Sequence, residues 1–435
     1  MINCFIPFLS LPQARQTVRA LGLCDRIKNI YLLATEKIPD EVEGCEMLMI
    51  DSPASTATFR TIALHADTAY TLLYTKYTAF EPGQFAFERL LAIAGDTNAG
   101  MLYADRYLLK NGNSQQAPVI DYQKGSLRDD FDFGSLLFFR SSVLKQAVRA
   151  MDADYRFAGL YDLRLRVSEL AELVHVNEYL YSEVETDIRK SGEKLFDYVD
   201  PKNRAVQIEL EAVCTAYLKR VGGYLAPDFE PVTFDAGGFE QEASVIIPVR
   251  NRIRTIEDAI RSVLAQKTTF RFNLIIVDNH STDGTSEAIG KYTADGRVVH
   301  LVPERSDLGI GGCWNVGVHH PACGKFAVQL DSDDVYSGPD TLQKIVDAFY
   351  EQNCAMVVGT YRMTDFKMNE IPPGIIDHRE WTLENGRNNA LRINGLGAPR
   401  AFYTPVLRRI NLPNTSYGED YALGLRISRT WRIGR

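Results

Sequence analysis

The stretch VQLDSDD, Val328 to Asp334, places three carboxylates within four positions: Asp331, Asp333 and Asp334. Like charges at that spacing repel, and water, a cation or a cationic partner has to relieve them. An Asp-x-Asp pair suits a hard divalent cation. Mg²⁺ and Mn²⁺ prefer oxygen ligands, and Mg²⁺ typically takes one or two carboxylates together with substrate phosphates. The same residues also read as an acidic, solvated loop after a buried strand, and taken alone the two readings stand level. Glu419 and Asp420 open a helical pattern in YGEDYALGLR, where acidic residues also favour the helix dipole. Asp278 closes the apolar run NLIIVD before the turn NHSTDGT, a place where Asp serves well as a turn residue.

These acids need elements to position them. Short apolar runs alternate with amphipathic helical patterns, which predicts an α/β chain with mostly parallel central sheets flanked by helices. SVIIPV (Ser244 to Val249) reads as a buried strand, IEDAIRSVLAQ as a helix, NLIIVD as a second strand, and KFAVQL as the strand that delivers Asp331. Ligands of open α/β sheets bind at the carboxyl ends of the strands, so Asp278 and Asp331 are expected to face one crevice.

The first half repeats this order. NCFIPF parallels SVIIPV, NIYLLATEK from Asn29 parallels NLIIVDNHS from Asn273, and YTLLYTK (Tyr70 to Lys76) parallels VQLDSDD. LRLRVSE from Leu163 parallels LGLRISR from Leu423, an offset of 423 − 163 = 260. In this alignment Ala34 stands for Asp278, and Leu73, Thr75 and Lys76 stand for Asp331, Asp333 and Asp334. The second copy is therefore expected to carry chemistry, with the first a degenerate partner.

The 435 residues exceed one ordinary core. The expected division is a degenerate domain over 1–195, a helical linker and Gly/Pro-rich connector over 196–242, and a catalytic domain over 243–435. A formal charge of −8 with scattered Lys and Arg argues against a nucleic-acid partner. The N-terminus MINCFIPFLS lacks the charged segment and cleavage site of a signal peptide. No apolar run reaches the roughly 20 residues of a membrane span. Seven dispersed cysteines without metal-type spacing suit reduced thiols in a cytoplasmic protein. Peripheral association with the inner face of the membrane is compatible with all of this.

In their order and spacing, SVIIPVRNR, IIVDNHSTDGT, GGCWNVG, VQLDSDD and YGEDYALGLR resemble family 2 glycosyltransferases, inverting enzymes with the nucleotide-sugar-binding GT-A fold. The resemblance covers residues 244–435, and the first 195 residues resemble a decayed GT-A-like copy. It implies that Pro248, Val249 and Asn251 line the nucleotide pocket and that Asp278 accepts a hydrogen bond from the base. It further places Asn315 near the nucleotide, Asp331 at the ribose or metal, and Asp333 as a ligand of Mn²⁺ or Mg²⁺. Asp420 becomes the catalytic base and Glu419 lies on the acceptor side, with residues 360–400 beside it. Cys313 and Trp314 depart from the small and basic residues common in that family, and Trp314 is expected to pack in the core. GIGG from Gly309 could admit a close backbone approach to a ligand. As a dinucleotide fingerprint it fails, for want of a preceding strand and a third glycine.

The expected reaction moves a sugar from a nucleoside-diphosphate sugar, a UDP-sugar foremost, to a hydroxyl of a glycan, polysaccharide or glycoconjugate. Two alternatives stand beside it. One is a non-catalytic nucleotide-sugar-binding or scaffold protein. The other is a haloacid-dehalogenase-like phosphatase reading of DSDDV, which needs that motif on the first strand of its domain. A nucleotidyltransferase would carry a Gly-rich phosphate loop where PVRNRIR has none. The first copy continues past its LRLRVSE helix into the strand ELVHVNEYLYSEV, whereas the second stops at Arg435, so the second is expected to be truncated and to lack the matching strand.

Overall fold

Runs of apolar residues form the strands of two sheets, one in each half of the chain. The computed structural model describes residues 1–37, 40–110, 112–184, 203–235 and 237–435. The chain divides into two compact units, Met1–Gly223 and Tyr224–Arg435.

The strands of the first unit are β1 (Ile2–Pro7), β2 (Ile27–Ala34), β3 (Glu46–Met49), β4 (Tyr70–Tyr74), β5 (Phe80–Pro82), β6 (Met101–Lys110), β7 (Asn113–Ala117), β8 (Leu136–Arg140) and β9 (Leu173–Val184). They lie in the order β3-β2-β1-β4-β8-β6-β9-β5, with β7 paired to β6. The second unit has β10 (Ala243–Val249), β11 (Phe272–Asp278), β12 (Val298–Leu301), β13 (Phe326–Gln329), β14 (Met356–Val358), β15 (Tyr361–Thr364), β16 (Glu370–Ile376), β17 (Arg400–Tyr403) and β18 (Ile433–Gly434). Its sheet runs β12-β11-β10-β13-β17-β14-β18, while β15 and β16 form a separate hairpin.

The two sheets share strand order and direction. Each central strand, β1 or β10, has parallel partners on both sides. Each of β8 and β17 runs antiparallel to both neighbours. β9 pairs parallel with β6 and β18 parallel with β14, while β9 is also joined antiparallel to β5. The expectation that the second half lacks the strand after its last helix is thus corrected: Ile433 and Gly434 hold the sheet position of β9. Its offset, 433 − 173 = 260, equals that between the helices Gly159–Leu170 and Glu419–Ser428, 419 − 159 = 260.

Pairing register also corrects the alignment of the acidic cluster. Asn3 of β1 lies beside Thr71, and Ser244 of β10 beside Ala327. Since β1 and β10 align at Pro7 and Pro248, with 244 − 3 = 248 − 7 = 241, the offset between β4 and β13 is 327 − 71 = 256. Asp331 then matches Thr75, Asp333 matches Tyr77, and Lys76 matches Ser332 rather than Asp334. Side chains alternate with a period of two, so a slip of two residues keeps every apolar position on its face and is invisible to pattern matching.

Flanking helices form because their apolar residues recur at helical spacing. Ile256–Leu264 buries Ile256, Ala259, Ile260 and Val263, and Thr341–Gln352 buries Leu342, Ile345, Val346 and Phe349. Parallel strands covered on both faces read as unbroken apolar runs, which is why every residue of β11 and β13 is buried. Trp314 lies in this core, edge-on to Phe402.

The stretch 196–242, expected as linker and connector, is shared between the units. The helix Arg204–Arg220 belongs to the first, where Glu209 accepts the backbone N–H groups of Phe157 and Ala158 and Arg220 pairs with Glu169. From Tyr224 onward the chain joins the second: Arg387 donates to the carbonyls of Ala226 and Asp228, and Phe234 packs edge-on against Phe326. The expected boundary at 195–196 lies outside the described residues. Among the described residues, no helix is long and apolar enough to cross a membrane.

Candidate active site

A cleft of about 500 Å³ opens in the second unit beyond the carboxyl ends of β10 and β13. One wall comes from the end of β10: Pro248, Val249, Arg250 and Arg252. A second comes from β13 and the turn after it, with Gln329, Asp331, Ser332 and Asp333. Opposite stand Gly309, Ile310 and the run Ser416 to Asp420. Pro248, Val249, Asp331, Asp333, Glu419 and Asp420 thus converge, although 172 residues (420 − 248) separate the first from the last.

The wall that carries Asp420 is held in place by the glycines of GIGG. The helix Ile310–His319 starts there, and its terminal N–H groups need acceptors. The approaching loop supplies them: Gly309 N–H donates to Asn414 Oδ1, Ile310 N–H to Ser416 Oγ and Gly311 N–H to the Thr415 carbonyl. A side chain on Gly311 would bring its Cβ within 2.0 Å of the Pro413 carbonyl oxygen, and one on Gly312 within 2.2 Å of Asn414 Oδ1. The close backbone approach expected at GIGG is therefore made by the protein's own loop. That loop ends at Gly418, whose φ of 75° suits glycine, and the helix Glu419–Ser428 follows.

The cleft is electrostatically strained. Asp331 is open to it, yet enough protein surrounds the carboxyl for desolvation to raise it; Gln329 and Arg400 pull the other way, while Asp333 and Asp420 add to the rise. Asp334 is pushed up to about 6 by desolvation and by the charges of Asp331 and Asp333. Glu419 is buried and raised, chiefly by desolvation, and its Oε2 has no hydrogen-bond partner. Cys313 also lines the cleft, but burial lifts its thiol to about 11, so it stays protonated. The nearest cation to Asp333 is Arg252, with Nε 3.8 Å from Oδ2. Hard oxygens on Asp331 and Asp333, beside raised carboxyls, suit a divalent cation such as Mg²⁺ or Mn²⁺, which would supply positive charge for phosphate groups in the cleft. They do not close into a three-ligand cage. Among the described residues only Cys24, Asp25 and Glu88 of the first unit bring three such ligand atoms within 4.8 Å of one another.

Three expected site residues stand outside the cleft lining. Asp278 is fully buried, and its carboxylate accepts the Ser281 N–H at 3.0 Å and the Ser286 hydroxyl. Desolvation pushes it up, but these bonds and His300 outweigh that and hold it below the usual carboxylate range. Asn251 adopts φ 55° and ties its turn to Ser281 and Thr282. Asn315 is joined to Leu412. All three brace the walls.

Sequence reading missed the residues that connect the acids. Arg400 Nη2 lies 2.6 Å from Asp420 Oδ2, its Nη1 donates to Gln329 Oε1 at 2.7 Å, and its Nε donates to the Leu396 carbonyl at 2.7 Å. Gln329 Nε2 in turn donates to Asp331 Oδ1 at 3.0 Å. A buried Arg on a strand was the available signal, since such a charge needs partners.

Residues 244–409 match the family described as glycosyl transferase family 2. The chain is 38% identical over 198 residues to an uncharacterized glycosyltransferase of Rickettsia felis, covering 45% of this chain and 31% of that protein. It is 33% identical over 120 residues to the putative teichuronic acid biosynthesis glycosyltransferase TuaG of Bacillus subtilis, covering 28% and 46%. Among solved structures, S. aureus TarS 1–349 in complex with UDP-GlcNAc matches with a TM-score of 0.37 at 23% identity, covering 44% of this chain and 55% of that one. The chain spans less than half the length of either curated relative. Over residues 244–409 the second unit is thus similar in sequence to the family 2 glycosyltransferases.

Proposed function

We propose that the second unit transfers a sugar, with inversion, from a nucleoside-diphosphate sugar to a hydroxyl of a glycan, polysaccharide or glycoconjugate, with a UDP-sugar as the foremost donor. The observation that carries this reading is the convergence of Asp331, Asp333 and Asp420 on one cleft. A sugar hydroxyl is a weak nucleophile at neutral pH, and Asp420, at the mouth of the acceptor wall, takes its proton as attack proceeds. Arg250 and Arg252 face the place where the diphosphate would lie, with Pro248 and Val249 beside the nucleoside. A Mn²⁺ or Mg²⁺ held by Asp331 and Asp333 would supply Lewis-acid stabilisation of the departing diphosphate. Asp278, Asn251 and Asn315 act from behind the walls, and Glu419 contributes its unpartnered oxygen on the acceptor side. The phosphatase alternative loses its footing because β13 is the fourth strand of its unit.

The first unit, which shares the sheet order but carries Thr75 and Tyr77 at the metal positions, is read as a non-catalytic GT-A-like partner for scaffolding or acceptor docking. Seven free cysteines suit a reducing, cytoplasmic compartment, with peripheral association at the inner face of the membrane compatible with it. Calorimetric titration of UDP, GDP and dTDP with and without Mn²⁺, against the full chain and Asp333→Ala, tests the donor site. Metal-dependent binding of one nucleotide, lost in the variant, is the expected result. No binding of any of the three would reduce the acidic cluster to a solvated loop.

A further inference from the structure

Between the donor side and the base runs an unbroken line of hydrogen bonds. Asp331 Oδ1 accepts from Gln329 Nε2, Gln329 Oε1 accepts from Arg400 Nη1, and Arg400 Nη2 meets Asp420 Oδ2. Donor and acceptor polarity is consistent at every link. Gln329 cannot be turned over without setting its amide N–H₂ against the guanidinium and its oxygen against a carboxylate. Both middle residues are over nine-tenths buried, and the third Arg400 donor, Nε, is fixed to the Leu396 carbonyl. A planar guanidinium held at Nε, Nη1 and Nη2 has one orientation. Asp420 sits in the first turn of a helix whose approach is set by the loop 411–418; its Oδ1 accepts the Tyr421 N–H at 2.6 Å, and the Arg400 ion pair is the restraint on its other oxygen, Oδ2.

We propose that Arg400 and Gln329 are positioning residues that fix the Asp420 carboxylate against that of Asp331, coupling the base to the donor side of the cleft. Neither touches the reacting atoms. The proposal deepens, and rests on, the transferase reading of the cleft. Arg400 is more than a counter-ion here. A lone cation at that point would hold Asp420 but would leave Gln329 free to rotate, and Asp331 with it. Lysine, with one point charge in place of the fork, can satisfy Asp420 or Gln329 but not both in plane.

Two readouts test the relay. The first needs no turnover: thermal unfolding of the full chain as Asp331→Asn, Arg400→Gln and the double variant, with the same set in a Gln329→Leu background. Asp331 and Arg400 share no hydrogen bond, but their charges attract directly, a coupling that does not need Gln329. The relay predicts that the double variant departs from the sum by about 2 °C or more, and that most of the departure is lost when Gln329 is replaced, leaving only the direct charge term. Asp333→Asn, which is not on the line, should combine additively with Arg400→Gln. Additive shifts for Asp331 and Arg400 would overturn the proposal. The second readout is kinetic. Arg400→Gln should lower kcat about 10²-fold, with the affinity for UDP and Mn²⁺ changed less than about threefold, and Arg400→Lys should recover part of the loss. An Arg400→Gln enzyme with wild-type kcat overturns the proposal. Failure of the transferase reading shows separately, as absence of Mn²⁺-dependent nucleotide binding in the wild-type chain.

Discussion

Asn315 and Leu412 hold each other by two hydrogen bonds, Asn315 Nδ2 donating to the Leu412 carbonyl at 2.8 Å and Asn315 Oδ1 accepting the Leu412 N–H at 3.0 Å. A side-chain amide thereby stands in for a strand partner and pins the loop that leads to Asp420 onto the helix Ile310–His319. Replacing Asn315 by Leu strips two backbone groups of their partners, a loss of about 1–3 kcal/mol. We expect faster amide hydrogen exchange across residues 411–418 and reduced turnover, with nucleotide affinity nearly unchanged because the β10 and β13 walls stay in place. Wild-type exchange rates in that loop would refute the pinning role.

Gly311 sits at a position where Ala ought to help. In a helix Ala is favoured over Gly by up to about 1 kcal/mol. Here the added methyl would meet the Pro413 carbonyl oxygen at 2.0 Å and Glu419 Cβ at 3.1 Å, so the loop or the helix has to move. Overpacking of this kind costs about 1–3 kcal/mol, which outweighs the propensity gain. Gly311→Ala should lower Tm and displace Glu419 and Asp420 together. Gly290→Ala, with nothing within 4 Å of the new Cβ, is the control and should leave Tm level or slightly higher.

What was legible in the sequence follows from which signals are local. β10, β11 and β13 could be read because a buried parallel strand is an unbroken apolar run, and the acids could be read because clustered charge after such a run is conspicuous. Register was not legible: period-two alternation allowed the Tyr70–Lys76 match to slide by two residues. Gln329 and Arg400 were not legible either, since each looks like an ordinary polar residue until strand order brings them together across 71 positions. The family resemblance gives Asp278 a hydrogen bond from the base, and the folded turn shows its second role, accepting from Ser281 and Ser286, three and eight residues on. The capping role was legible in NHSTDGTS, where Asp is a common turn residue. β18 was missed because two residues carry no periodicity.

His378 offers a pH test of the packing of the second unit. It is buried against Gly397, with Nε2 3.3 Å from the Ala398 carbonyl oxygen. Burial, aided by the charge of Arg400, outweighs that hydrogen bond and pushes the imidazole down to about 4. An unfolded chain takes up the proton near 6.5, the folded one only near 4. Stability from the neutral imidazole is therefore present above 6.5 and lost as pH falls through this window. The shift corresponds to roughly 3 kcal/mol at most. Urea unfolding of wild type and His378→Gln between pH 7 and 4 should show a steeper decline for wild type. Parallel curves would mean that the ring protonates as readily folded as unfolded.

The proposed division of labour between Asp333 and Asp420 predicts opposite failures. Asp420→Asn keeps an oxygen for Arg400 Nη2 but removes the proton acceptor, so kcat should fall about 10²–10⁴-fold while UDP and Mn²⁺ still bind. Asp333→Asn should instead weaken metal-dependent nucleotide binding, because a neutral amide is a poorer ligand for a hard cation than a carboxylate. Loss of the Asp420 charge leaves the Arg400 guanidinium without its counter-ion, so some fall in Tm is expected as well. That fall cannot by itself imitate the kinetic result, since calorimetry on the same variant reports whether the donor site is intact. An Asp420→Asn enzyme within threefold of wild-type kcat would remove it as the base. The unpartnered Glu419 would then be the carboxylate left on that wall, and Glu419→Gln the variant in which to look for the lost turnover.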